Sequence, residues 1–171
     1  MLYDITITQF QKSLENLNAI LDKAKAFAME KKVDTEVLLQ ARLAPDQFPL
    51  MRQLQIACDT AKLGAARVTG KEAPSHPDTE KTLSEIKARI ESVISYLRGF
   101  SPADFKGAEE RHVSQPRWEG KYLTASEYAI QHMIPNFYFH ITTAYAILRH
   151  NGVEIGKKDY LGALPLKGPK G

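Results

Sequence analysis

The stretch "LSEIKARIESVISYLRGF", residues 83–100, decides the fold class. Leu83, Ile86, Ile90, Val93, Leu97 and Phe100 follow one another at steps of 3, 4, 3, 4 and 3. Side chains three and four apart stack on one side of a 3.6-residue helix, so this rhythm marks one helical face. The spacing predicts a helix over about residues 79–100 whose apolar stripe must be covered by other helices.

The same rhythm recurs toward the N-terminus. Ile7, Phe10, Leu14, Leu17, Leu21, Ala24 and Ala28 predict a helix over about residues 6–31. Leu50, Leu54, Ala57, Ala61, Ala65 and Val68 form another stripe that ends near Gly70, with Pro49 tolerated in the first turn because its missing N–H would lack an intrahelical partner. Ala57, Ala61, Gly64 and Ala65 on or beside that stripe let a neighbouring helix come close. In the connector, Asp34 and Thr35 are placed to cap a short helix over residues 37–42, stopped before Pro45. The segment "KEAPSHPDTEK", residues 71–81, is turn-rich and joins helices.

Toward the C-terminus, residues 101–123 lack a helical period, and Pro116 and Gly120 divide stretches suited to a small hairpin. "TASE" at 124–127 is a capping-box pattern, from which a helix should run to Asn151 with Gly152 as its left-handed terminator. Pro135 cannot donate to the carbonyl of residue 131, which predicts a kink. The tail "KGPKG", residues 167–171, carries no packing signal. Four long amphipathic helices with one long connection, between the third and fourth, predict an all-α, four-helix bundle in a single domain over residues 1–171.

Composition narrows the function classes. With 43% apolar and 25% charged residues among 171, the chain is of ordinary globular make-up. Its 23 Lys plus Arg interleave with 20 Asp plus Glu for a net charge of +3, which argues against a nucleic-acid partner. The single cysteine, Cys58, excludes an intrachain disulfide, fits a cytoplasmic setting and reads as an inert core thiol. No apolar run suits a signal peptide or a membrane span. "GVEIGKKD", residues 152–159, fails as a phosphate loop: its glycines are one residue too close, no Ser or Thr follows Lys157, and it follows a helix instead of a strand.

Chemistry concentrates on two helices. His132, Asn136 and His140 are spaced by four, with Met133, Phe137 and Ala144 on the same side, so His140 is expected to face inward. Gln55 and Asp59 form a matching polar pair on the second long helix. In one reading Asp59 orients His140, or both point at a ligand or metal inside the bundle; in the other these groups only satisfy one another. Arg42 and Asp46 bracket Pro45, with Asp46 expected as a helix cap and Arg42 as a guanidinium clamp, a ligand contact being the alternative. Tyr145, Tyr138 and Trp118 are candidates to line a pocket. His76, His112 and His150 lie in or beside breaks and read as surface residues.

"RLAPDQFPLMRQLQIACDTAK" and "PNFYFHITTAYAILRHNGVEIGKKDYLG", set in this helical plan, resemble an uncharacterised bacterial family of the DinB/YfiT-like superfamily. The resemblance implies a bundle that is often dimeric, in which three histidines hold a divalent metal, Zn or Ni, and some members are thiol-dependent transferases or isomerases. In such relatives two histidines lie four apart on the last helix and a third comes from the second. His140 matches the later of the pair, Asn136 stands in place of the earlier, and the second helix offers Gln55 and Asp59 but no histidine. An amide is a poor substitute for imidazole at such a metal, with His132 the remaining possible ligand. The expectation is a small-molecule-binding bundle with a degenerate, metal-free site, forming a homodimer. A metal-assisted transferase and a purely structural dimerisation module are the alternatives.

Overall fold

The computed structural model describes residues 1–168 and is all-α apart from one two-residue β-ladder. The last three residues of the "KGPKG" tail lie outside the described residues. The helices are α1 (Gln9–Lys31), α2 (Thr35–Gln40), α3 (Leu50–Thr69), α4 (Leu83–Arg98), α5 (Ala125–Tyr128), α6 (Ile134–His150) and α7 (Lys157–Leu161). Each long helix meets two others: α3 packs on α6 and α4, and α1 packs on α4 and α6. The stripes read from the sequence fill the space between them, with Phe10, Leu14, Leu54, Ala61, Ile86, Ile90 and Phe137 wholly buried. Burying an aliphatic or aromatic side chain of this size is worth about 1.5–3 kcal/mol, which is what holds the helices side by side. Phe10 stacks on Phe137 at 4.0 Å between ring centroids, tying α1 to α6. Among the described residues no helix is long and apolar enough to cross a membrane.

Helix ends follow local chemistry. Asp34 accepts from the Glu36 N–H and starts α2. α4 starts at Leu83, where the apolar period begins and later than the expected start near residue 79, because Thr82 and Glu85 form a reciprocal capping box there. Thr124 and Glu127 do the same for α5. Pro135 is accommodated without a simple kink: residues Ala129–Met133 form a π-helical turn, and Ile134 N–H reaches back five residues to the carbonyl of Ala129. The π turn changes the hydrogen-bond register just before the residue that cannot donate. A second π turn, Asp4–Thr8, leads into α1. The hairpin forms as β1 (His112–Val113) paired antiparallel with β2 (Leu123–Thr124).

α3 and α6 run antiparallel, and three pairs give their register: Gln53 with His140, Thr60 with Asn136, and Gly64 with Met133. A Cβ at residue 64 would lie 2.6 Å from Met133 Cε, so glycine is what lets the thioether lie across α3.

Candidate functional site

His140 is 7% exposed and bonded to α3, but through Gln53 instead of Gln55 or Asp59. Its Nδ1 lies 2.7 Å from Gln53 Oε1, while Gln53 Nε2 donates to the Phe48 carbonyl at 3.0 Å. The carbonyl fixes which end of the amide faces His140, so the imidazole must carry its proton on Nδ1 to donate. Burial first, then the nearby positive charge of Arg52, push the pKa of His140 down to about 4. The ring is therefore neutral at neutral pH and serves as a polar rung between two helices.

The expected pairing of His140 with Asp59 fails on helical geometry. Residue 59 lies six positions beyond 53, about a third of a turn away around the helix axis. That rotation aims Asp59 toward α4, where it meets Arg89 Nη2 at 2.8 Å, and it also pairs with Lys62 Nζ of its own helix at 3.1 Å. Gln55 is turned away as well, donating to Glu80 at 2.9 Å and accepting from Arg52 at 3.2 Å. Asn136 donates to Thr60 Oγ1 at 2.7 Å.

Asp59 and Gln55 thus belong to an ionic cluster that sequence reading missed. Arg89, 3% exposed, reaches Asp78 at 2.9 Å and Glu80 at 3.0 Å in addition to Asp59. Arg52 also pairs with Asp78. Burial alone would lower the pKa of Arg89, but Asp59, Glu80 and Asp78 outweigh it and raise it. Burial likewise opposes ionisation of Asp78 and Glu80; hydrogen bonds from Arg89 and Arg52 on Asp78, and from its own backbone N–H, Gln55 and Arg89 on Glu80, hold both carboxyls below their usual range. The cluster staples the 71–82 connector to α3 and α4. His76 is drawn into it between Lys62 Nζ at 3.0 Å and Ser92 at 2.9 Å, half-buried instead of a free surface residue. The sequence did carry a signal: Arg89 falls three after Ile86 and four before Val93, on the apolar stripe itself.

The remaining sequence candidates disperse. Arg42 clamps its own loop through the carbonyls of Pro45 at 3.4 Å and Gln47 at 3.3 Å. Asp46 is exposed and caps nothing, since α3 begins after Pro49 with no side-chain cap. Tyr145 donates to the Ile155 carbonyl at 3.4 Å and packs edge-on to Tyr160, holding α7 against α6. Tyr138 packs on Phe10 and Phe137.

One cavity does gather convergent polar groups. It measures about 180 Å³ and lies where α3, the turn after β1 and the α5–α6 junction meet, with Thr60, Arg67, Gln115, Arg117, His132 and Asn136 in its wall. Tyr128 and Asp59 complete its polar lining. His132 stacks on Tyr128 at 5.3 Å between centroids and stands edge-on to Trp118. Arg67 donates to the Tyr128 hydroxyl at 3.2 Å. Two larger grooves, about 360 and 350 Å³, run along pairs such as Lys31 with Glu30 and Lys87 with Asp22, and neither is lined by a histidine or an arginine.

A resident transition metal does not fit these residues. Asn136 and His140 are committed to Thr60 and Gln53, His132 Nε2 is committed to Arg117, and no group of three or more His, Cys, Asp or Glu among the described residues is placed to hold a metal ion.

The pattern of a family described as a domain of unknown function, DUF1993, matches residues 2–161. The chain belongs to the DUF1993 family. This DUF1993 chain is also similar to the crystal structure of a DinB family member protein from Shewanella denitrificans, with 67% identity over 99% of this chain and 96% of that one and a TM-score of 0.96. No curated protein matches it. The DUF1993 family and the DinB-family neighbour agree with the kinship read from the "RLAPD" and "PNFYFH" stretches.

Proposed function

We propose that this DUF1993 protein is a single-domain, DinB/YfiT-like four-helix bundle that binds a small molecule without a resident metal, in the cavity bordered by Thr60, His132 and Asn136. The observation that carries the reading is the reassignment of the superfamily's metal positions. Asn136 and His140 serve as rungs between α3 and α6, while polar groups without partners collect one helical turn away, around His132. A site that has lost its ligands to helix pairing but keeps a polar cavity beside it is suited to binding.

The test has two arms. Elemental analysis of protein purified without chelator or affinity tag is expected to find no stoichiometric transition metal; a metal present at one per chain and lost in His140→Ala overturns the metal-free claim. A small-molecule screen by NMR is expected to shift the ring signals of His132; if no compound does so, the binding reading fails. Turnover of low-molecular-weight thiols with electrophiles, abolished in His140→Ala, would establish a transferase instead. The homodimer belongs to the same proposal, supported by Phe48 and Phe139, 56% and 58% exposed beside the His140–Gln53 pair. A monomer by sedimentation would remove it.

A further inference from the structure

We infer that the ligand of this cavity carries an oxyanion, a carboxylate or phosphate group, received by Arg67, Arg117 and His132. The inference rests on the small-molecule-binding reading above and adds the chemical class of the ligand.

Its basis is the direction of the hydrogen bonds. Arg117 Nη2 stands 2.7 Å from His132 Nε2. A guanidinium has only donors, so Nε2 must accept and the ring proton must be on Nδ1. Nδ1 is enclosed and has no partner, which leaves a buried N–H unsatisfied. Gln115 Nε2, in the same wall, is a second enclosed donor without a partner. Tyr128 accepts from Arg67, so its own hydroxyl proton is a third donor at the cavity. Unsatisfied buried polar groups are costly, about 1–3 kcal/mol each, and a cluster of one polarity calls for a partner of the opposite one.

Charge points the same way. Arg67 and Arg117 bring two positive charges to a space of about 180 Å³. The carboxylate in the wall, Asp59, is already engaged by Arg89 and Lys62. Asn136 gives its N–H to Thr60, and Thr60 gives its hydroxyl proton to the Ile56 carbonyl. Burial first, then Arg117 and Arg67, hold the pKa of His132 below its ordinary value, which keeps the ring a neutral donor. Planar guanidinium forks match the oxygens of carboxylate and phosphate, and the volume suits a compound of a few carbons around such a group.

The experiment titrates the full chain with acetate, inorganic phosphate and, as a neutral counterpart, acetamide, at constant ionic strength, following the ring signals of His132 by NMR. Acetate or phosphate is expected to shift them saturably, and acetamide is not. Arg117→Gln and Arg67→Gln should each weaken the anion about tenfold or more, as loss of a charge-assisted hydrogen bond does. Arg98→Gln, in an exposed pair with Glu15, should leave binding unchanged. Response to acetate alone assigns a carboxylate ligand, and response to phosphate alone a phosphate. Acetamide binding as tightly as acetate overturns the oxyanion while leaving the small-molecule reading intact. Absence of any anion response, or a loss in Arg98→Gln equal to that in Arg117→Gln, overturns the inference; the compound screen then judges the binding reading separately.

Discussion

His140 donates through Nδ1 to Gln53 at 2.7 Å and does not meet Asp59, which is turned toward Arg89 on α4. His140 is thus a neutral rung between α3 and α6, and its proton equilibrium is tied to folding.

That link has a definite sign. The folded pKa of His140 is about 4, against an ordinary value of 6.5. Between those values the unfolded chain takes up a proton that the folded chain refuses, so acid favours unfolding. The contribution is complete above about pH 6.5, shrinks as pH falls, and is lost through about pH 4, amounting to about 3 kcal/mol at most. Urea unfolding at stepped pH should show wild type losing more stability than the non-titrating His140→Gln across this window. His76 and His132, both also lowered, titrate in both proteins and cancel in the difference. Parallel stability curves would show that the ring is not held neutral.

Arg89→Met tests the ionic cluster. The guanidinium is 3% exposed and serves Asp59, Asp78 and Glu80 together. Removing one partner of a buried ionic group leaves the others unpaired and costs about 3–5 kcal/mol. The loss should shrink at acid pH, where Asp78 and Glu80 can be protonated. Arg89→Lys should recover only part of it, because one ammonium cannot reach three carboxylates with a planar fork. Urea midpoints at pH 7 and 4 measure both effects, and an Arg89→Met midpoint equal to that of wild type would show that the cluster adds nothing.

The helices were legible because their stripes repeat at 3 and 4, as with Leu83, Ile86 and Ile90, and their caps were legible where side chain and backbone exchange bonds locally, as with Thr124 and Glu127. The partners across helices were not. Periodicity says that His140 faces inward but does not give the axial offset of α3, and Gln53, its actual neighbour, lies about a third of a turn and about 9 Å along the axis from Asp59. The cavity was the least visible part. Gln115 and Arg117 come from the non-periodic 101–123 segment, and only the fold of that segment over the α5–α6 junction brings them to His132.

Gly64 permits a sharper test of helix packing. An added Cβ would meet Met133 Cε at 2.6 Å, Cγ at 2.7 Å and Sδ at 2.8 Å, so the whole thioether arm must move, and Met133 is fully buried. Alanine gains about 1 kcal/mol over glycine in a helix, but overpacking costs about 1–3 kcal/mol. Gly64→Ala should therefore lower stability in wild type and raise it in a Met133→Ala background. A double-mutant cycle by chemical denaturation reads the coupling. The same sign in both backgrounds would show that Met133 does not press on α3.

Cys58 should behave as a reporter of global unfolding. It is fully buried, and burial pushes its thiol up to about 12, with the negative charges of Asp59 and Glu80 adding to the rise and Arg89 opposing it. At pH 8 almost none of the thiolate that attacks a disulfide reagent is present, and access is closed as well. Labelling by an aromatic disulfide reagent should then require opening of the α3–α4 contact, and its rate should rise with urea along the slope of global unfolding. Arg89→Met should accelerate labelling in native buffer, since losing the guanidinium loosens the connector that covers this face. Prompt stoichiometric labelling of the wild type, with its helical circular dichroism unchanged, would mean that the thiol is reachable in the native state and that the packing of α3 against α4 is looser than described.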